Sequence, residues 1–253
     1  MDPVRLSVFH ELFAALAEEM GEVLRCTAPS VNIRERCDFS CALFDTNGAL
    51  ISQAAHIPVH LGSAALSVAA VRDRFPELEP GDAVLLNDPY AGGTHLPDLT
   101  LVSPVFPEDG AGSQGPWYLV NRAHHSDVGG SRPGSMAPAS DLPAEGLRIP
   151  PVKLLRRGEW VRDVLELVLA NTRTPALREG DLRSQVEANR LGARRVRELW
   201  ERYGRGLCQE ASEALFAYSA RLISVHLAKL ERGSYRAREL LEGDGVVEHE
   251  LPL

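Results

Sequence analysis

The sequence predicts an α+β fold, with a mixed sheet in the N-terminal part followed by a helical segment. Short apolar runs bounded by glycine and proline, such as Val84–Leu86 and Trp117–Val120, are typical of buried strands. Beyond Pro151 the apolar residues recur at helical spacing over long stretches. We therefore divide the chain into an α/β region over 1–151, a helical region over 152–232 and the start of a β-rich region over 233–253.

Local signals place the first elements. Asp2-Pro3 predicts a helix start, with Asp as the N-cap and Pro in the first turn. Asn47-Gly48 predicts a hairpin turn between strands over Asp38–Phe44 and Ala49–Gln53. A second helix is expected over Ser63–Phe75 and a further strand over Leu99–Phe106.

Three segments between these elements are predicted to lack regular structure. His56 and His60 flank Pro58, which favours extended chain or a turn, so they are either loop histidines bonded to backbone or part of an active-site wall. Pro107–Pro116 is expected to be a solvent loop. The long Gly- and Pro-rich run Ser126–Pro151 is expected to be a lid or a substrate wall.

The C-terminal part is predicted to be mainly helical, with helices over Val161–Thr172, Asp181–Tyr203 and Leu207–Leu230. In the last helix an apolar stripe predicts a packing face, formed by Leu215, Tyr218, Leu222 and Val225. Val246–Leu253 alternates like a strand that has no partner. We therefore expect the chain to be the N-terminal portion of a larger subunit, either truncated or split.

Composition excludes several classes of partner. The net charge of -8 gives no electrostatic basis for binding nucleic acid or an anionic membrane. The four cysteines match no zinc-ribbon spacing, so we expect buried free thiols in a reducing cytoplasm. No run resembles a signal peptide, a membrane-spanning helix or a phosphate-binding loop.

Two runs carry the candidate chemistry, Asn87–Asp98 and Asn121–Gly130, and each begins where an apolar run meets a glycine-rich loop. If their strands are neighbours, His95, Asp98 and one of His124 or His125 form a two-histidine, one-carboxylate set that leaves coordination positions open. The alternative is a loop histidine that is hydrogen-bonded to a nearby aspartate. Side chains alternate between the faces of a strand, so only one of the paired histidines can join the set.

These runs resemble those of the hydantoinase B family. That family includes the B subunits of N-methylhydantoinases, the matching half of 5-oxoprolinases, and the large subunits of acetone and acetophenone carboxylases. The resemblance extends through Asn32–Ser40, His56–Gly62, Glu145–Pro151 and Ala170–Arg173.

The resemblance implies a divalent metal bound by His95, Asp98 and His124, with His124 ranked ahead of His125. Two histidines and a carboxylate suit Zn, Mn or Fe. Asp88 and Asp127 are then candidates to orient a ligand histidine or to act as a general base. His125 is a candidate catalytic residue, as a substrate contact, with a core histidine as the alternative.

Three functions follow as hypotheses. The first is the B-type subunit of an ATP-dependent hydantoinase or 5-oxoprolinase, in which an oligomeric complex with an A-type subunit, the ATP-binding partner, opens a cyclic amide. The second is a subunit of an ATP-dependent ketone carboxylase. The third is a truncated, non-catalytic scaffold.

Overall fold

A computed structural model describes residues 1–54, 57–108, 115–134, 139, 141–241 and 249–252. These residues form two compact units, Met1–Leu215 and Phe216–Leu253. No helix in the described part of the chain combines the length and the apolar character that crossing a membrane would require.

The helices and strands alternate irregularly along the chain. The helices are α1 (Pro3–Thr27), α2 (Val31–Arg34), α3 (Pro58–Arg74), α4 (Leu142–Glu145), α5 (Arg162–Ala170), α6 (Pro175–Tyr203) and α7 (Arg205–Leu227). The strands are β1 (Phe39–Phe44), β2 (Leu50–Gln53), β3 (Ala83–Leu86), β4 (Asp98–Val105), β5 (Trp117–His124), β6 (Val152–Arg156), β7 (Glu159–Trp160), β8 (Arg238–Leu241) and β9 (His249–Pro252).

The first unit contains a seven-stranded sheet with the strand order β2-β1-β5-β4-β3-β6-β7. The α+β class is therefore confirmed, but the expectation of a mixed sheet was wrong, because every pairing between these strands is antiparallel. A buried apolar run looks the same in either direction, so hydrophobicity alone does not specify strand polarity. β6 and β7 complete this sheet, so the boundary predicted at 151 falls inside one unit.

Alternation along the strands gives the sheet two apolar faces. Leu85 and Leu101 pack with Leu165 of α5 and Leu182 of α6 on one face. On the other face α3 packs against the sheet, with side chains that include Val68, Val84, Val102 and Val120. Nearly all of these strand residues are buried, which explains why the sequence shows continuous apolar runs.

Helix α1 begins as the sequence predicts, because the Asp2 side chain accepts hydrogen bonds from the backbone N–H groups of Val4 and Arg5. Its buried face includes Met20, and it packs on α6 close to Gly192. A Cβ atom at Gly192 would lie 2.6 Å from the Met20 sulfur, so the two helices approach at this glycine.

Helix α3 corrects the prediction for the segment around Pro58. Pro58 occupies the first turn of this helix, where its missing N–H group costs nothing, so His60 is a helical residue. His56 lies outside the described residues, as does much of the predicted loop Pro107–Pro116.

In the second unit, β8 and β9 pair with each other as an antiparallel hairpin. The expectation that the run Val246–Leu253 is unpaired was therefore wrong for its described residues, 249–252. In α7 Leu215 is buried, whereas Tyr218, Leu222 and Val225 are exposed, so the predicted packing stripe is covered only at its start.

Candidate metal centre

The candidate centre lies where β4 begins and β5 ends. Asp98 and His124 are directly opposed in this antiparallel pair, so their side chains leave the same face of the sheet. The backbone N–H of Asp98 donates to the carbonyl of His95 at 3.0 Å, which closes a tight turn and brings His95 beside Asp98. Strand pairing and one turn therefore bring three residues together from separate parts of the sequence.

The three side chains surround one carboxylate. His95 Nδ1 lies 2.7 Å from Asp98 Oδ2, and His124 Nδ1 lies 3.1 Å from Asp98 Oδ1. One potential ligand atom from each residue falls within 4.8 Å of the other two. Asp98 is fully buried and His124 nearly so, whereas the His95 side chain is 38% exposed, so the cluster is accessible from one side.

Electrostatics keeps the carboxylate ionised. Burial alone would raise the pKa of the Asp98 carboxyl, but hydrogen bonds from His124, His60 and His95 outweigh it and hold that pKa well below its usual range. The hydrogen bond to Asp98 raises the pKa of His95. A buried anionic oxygen between two imidazoles is a donor set that fits a divalent transition ion such as Zn, Mn or Fe.

His60 of α3 is a further group at this centre. Its side chain is 2% exposed, and its Nε2 lies 3.3 Å from Asp98 Oδ2 and 3.9 Å from Asp38 Oδ1. Asp38 also lies 4.0 Å from His124 Nδ1. The sequence left His60 open as a loop histidine or a wall residue and gave Asp38 no role. The sequence does contain a signal that His60 lies on a helix. His60, Ser63 and Ser67 form a polar stripe at helical spacing after a proline that can start a helix.

Arg122 lies beneath the centre and is 1% exposed. Within the described part of the chain, its guanidinium donates to uncharged oxygens, which belong to β4, α3 and the loop before β4. The acceptors are Thr100 Oγ1, Ser63 Oγ, Thr94 Oγ1, Ser67 Oγ and the carbonyls of His60 and Gly92. Burial lowers the pKa of Arg122 to about 10, so the group remains cationic at neutral pH.

His125 points to the opposite face of the sheet from His124. It is fully buried, and its Nε2 lies 3.0 Å from Gln185 Oε1 on α6. Burial, reinforced by the nearby Arg178 charge, lowers the pKa of His125 to about 3. The imidazole is therefore neutral and packed against α6, away from the three-residue cluster.

Asp127 and Asp88 also lie outside that cluster. Asp127 accepts hydrogen bonds from the backbone and side chain of Arg173 and from the backbone of Gly129, so it fastens the loop after β5. Asp88 caps the short 3-10 helix Pro89–Ala91 by accepting from the N–H of Tyr90, and it lies 3.8 Å from Arg148 Nε.

A groove of about 520 Å³ borders the short 3-10 helix that Asp88 caps. Its lining includes Tyr90, Arg148, Asn171 and the glycine pair Gly129-Gly130. Most of these residues come from the run Ser126–Pro151, of which 135–138 and 140 lie outside the described part of the chain. A mostly apolar lining with one aromatic ring and a few polar groups is typical of a small-molecule site.

The family model described as hydantoinase B/oxoprolinase matches residues 2–253. The chain belongs to the hydantoinase B/oxoprolinase family. The resemblance seen in the sequence motifs is thereby confirmed.

The proteins to which this chain is similar are longer than it is. It is 35% identical over 250 residues to a protein provisionally named as the B-type subunit of a D-/L-hydantoinase from Pseudomonas sp. strain NS671, covering 96% of this chain and 42% of that protein. It is similar to an ATP-dependent caprolactamase from Pseudomonas jessenii, with 34% identity, a TM-score of 0.87, and coverage of 96% of this chain and 42% of that one. The chain spans less than half the length of the curated relatives it matches.

An acetone carboxylase shares the fold of this hydantoinase B/oxoprolinase family member. The TM-score is 0.77 over 83% of this chain and 28% of that one, with 19% sequence identity. At that identity the likeness concerns the fold alone.

Proposed function

We propose that the chain is the metal-carrying, B-type subunit of an ATP-dependent enzyme that opens a cyclic amide, of the hydantoinase or 5-oxoprolinase type. The observation that carries the proposal is the His95, Asp98 and His124 cluster, whose buried carboxylate and accessible histidine lie at one sheet end. The similarity to an ATP-dependent caprolactamase favours a cyclic amide as the substrate class.

In this proposal His95, Asp98 and His124 hold a divalent metal. When bound, such an ion polarises a carbonyl or phosphoryl oxygen and lowers the pKa of water. Arg122 supplies a fixed positive charge behind Asp98 and ties the loop that carries His95 to α3.

The groove bordering the short 3-10 helix is our candidate for the substrate wall. Arg148 and Tyr90 offer a cation and an aromatic face to a polar ring. Among the three groups assigned from sequence as catalytic, Asp88 is best supported, because its carboxylate lies 3.8 Å from Nε of Arg148, a cation that lines this groove. Asp127 accepts a hydrogen bond from Arg173, and His125 is hydrogen-bonded to Gln185. These contacts favour structural roles, in which Asp127 holds the loop after β5 and His125 packs the sheet against α6, over contact with substrate.

ATP would bind to an A-type partner subunit, which uses it to phosphorylate and thereby activate the amide. This division of labour is supported by the sequence, which contains no phosphate-binding loop motif. The Pseudomonas sp. relative is named as one subunit of a hydantoinase, which favours a partner and an oligomeric complex.

Co-expression with an A-type subunit tests the proposal. The complex should contain about one equivalent of Zn, Mn or Fe per copy of this chain and should consume ATP while opening a hydantoin, 5-oxoproline or a lactam. Asp98→Asn should remove the metal and the ring-opening activity, whereas Asp127→Asn, the matched control, should retain the metal. The B-type chain alone should hydrolyse no ATP.

Two results would contradict the proposal. A complex that opens the ring at full rate after complete metal removal would exclude the metal centre. ATP-dependent incorporation of bicarbonate into a ketone, without ring opening of any of the amides, would replace the hydrolase by the carboxylase.

A further inference from the structure

We infer that His60 is a positioning residue of this centre, which holds the Asp98 carboxylate in the orientation needed to bind a metal. The inference rests on the proposed metal centre and adds a residue from α3, which contributes none of the three candidate ligands. It makes α3 part of the functional site as well as of the core.

Both ring nitrogens of His60 are engaged inside the protein. Nε2 lies 3.3 Å from Asp98 Oδ2, and Nδ1 lies 3.2 Å from Ser40 Oγ on β1. An ionised carboxylate can only accept, so Nε2 must carry the proton that is donated to Asp98. With Nε2 protonated, Nδ1 is the acceptor of the Ser40 hydroxyl, whose one proton is then directed to Nδ1 at 3.2 Å and not to the Ile57 carbonyl at 3.3 Å, and this contact holds the ring orientation.

The main chain of His60 is also fixed. Its carbonyl accepts a hydrogen bond from Arg122 Nη1 at 3.2 Å. Ser40 of β1 and Arg122 of β5 are paired across adjacent strands, so the ring and the backbone of His60 are anchored on two neighbouring strands, one of which, β5, carries His124. A buried, doubly anchored imidazole is a rigid donor.

His60 acts on Asp98 without belonging to the candidate ligand set. The potential ligand atoms of His95, Asp98 and His124 lie within 4.8 Å of one another, and His60 is not a member of that group. Thr94 Oγ1 also donates to Asp98 Oδ2, at 2.7 Å. Thr94 and His60 are therefore two donors that orient the carboxylate in addition to the two candidate ligand histidines.

Metal affinity provides a test that does not depend on enzyme activity. The dissociation constants of Zn²⁺ and Co²⁺ are measured for the purified protein by competition with a chromophoric chelator. His60→Ala should weaken binding by about 10- to 100-fold, the usual effect of removing a group that orients a ligand. His60→Gln, which retains an N–H donor near the position of Nε2, should recover most of that loss.

Two further variants and one spectrum complete the test. Ser40→Ala, which removes only the partner of Nδ1, should produce a smaller loss of metal affinity than His60→Ala. If His60→Ala does not fold, Ser40→Ala and His60→Gln together test the inference. His10→Ala, at an exposed histidine of α1, is the control and should bind like the wild type. The visible absorption of bound Co²⁺ should show the same coordination number in all of these variants.

The possible failures are distinguishable. Affinities of His60→Ala and Ser40→Ala within about twofold of the wild type would overturn the positioning role. A Co²⁺ spectrum that loses a ligand in both His60→Ala and His60→Gln would overturn it too, by making His60 a ligand. A wild-type protein that binds neither ion would overturn the proposed metal centre itself.

Discussion

At the scale of single residues, the buried Arg122 shows why this position requires a guanidinium. A planar fork with five N–H donors can reach acceptors on several elements at once, whereas a lysine offers three donors from one nitrogen. Every acceptor of Arg122 among the described residues is an uncharged oxygen, so its contribution depends on the number and directions of hydrogen bonds and not on a paired carboxylate.

Arg122→Lys should therefore destabilise the protein despite the retained charge. We expect a loss of about 2–4 kcal/mol in the free energy of unfolding, because buried hydroxyl and carbonyl groups lose their donors. Urea denaturation measures the loss. The same exchange at the exposed Arg194 of α6 should change stability by less than about 0.5 kcal/mol. An equal effect at both positions would contradict a structural role for the Arg122 hydrogen bonds.

Some of the residues at the candidate centre could be predicted from the sequence. Alternation along a strand showed that His124 and His125 face opposite ways, and the structure places His124 with His95 and Asp98. His60 and Arg122 contact each other across 62 positions of the chain. That contact depends on which sheet face α3 covers, which helical spacing alone does not specify.

At the scale of elements, α3 and the loop before β4 meet at Gly92. The backbone of Gly92 has a φ of +84°, and an added Cβ would lie 2.4 Å from backbone atoms of Leu66 and Ser67 in α3. Since backbone cannot yield as a flexible side chain does, only glycine allows this approach.

Gly92→Ala should force α3 away from the loop. We expect a loss of about 2–4 kcal/mol in the free energy of unfolding and weaker metal binding, since α3 carries His60. Gly62→Ala, in the same helix, is the matched control, because a Cβ there meets nothing within 4 Å. That exchange should stabilise the protein by about 0.5–1 kcal/mol through helix propensity. Thermal unfolding of the two variants should shift in opposite directions, and shifts of the same sign would show that Gly92 is not required for the contact.

Elements with strong local signals were predicted within a few residues, among them β4 and α7, whereas α6 begins at Pro175 and not at the predicted Asp181. β6 and β7 were missed, because Val152–Arg156 follows two prolines and is short, and its partner β3 is distant in sequence. The predicted strand polarity was wrong for the same reason, because the tertiary fold and not the local sequence pattern determines which strands pair and in which direction.

At the scale of the whole molecule, stability should depend on pH through Asp82, which lies 2.6 Å from Lys153 Nζ and joins β3 to β6. Burial alone would raise the pKa of Asp82, but the hydrogen bonds from Lys153, Arg157 and Glu79 lower it below its ordinary value. A carboxyl whose pKa is lowered by folding contributes stability above its unfolded pKa, about 3.9, and loses it as pH falls through the folded value.

Asp82→Asn should therefore destabilise the protein at pH 7 and make the unfolding free energy less dependent on pH below about 4. Urea denaturation between about pH 2.5 and 7 measures both effects. Asp73→Asn, at an exposed position of α3, should leave the pH profile close to that of the wild type. A profile for Asp82→Asn that is parallel to the wild type would exclude this contribution.

Family membership was also predictable at this scale, because ordered motifs spread over most of the chain identify a family more reliably than any single pair of residues. The division into Met1–Leu215 and Phe216–Leu253 was not predictable. The sequence shows no change of composition within α7, where that division falls.

The position of β5 has a consequence for hydrogen exchange. This strand lies between β1 and β4, all eight of its residues are buried, and polar side chains tie it to α6 on one face and to α3 on the other. Amides in such a strand exchange with solvent only when the surrounding cooperative unit opens. Because His124 is the last residue of β5, Asp98 and His124 should stay paired until that unit unfolds, and the amides around them should be among the slowest-exchanging of the protein.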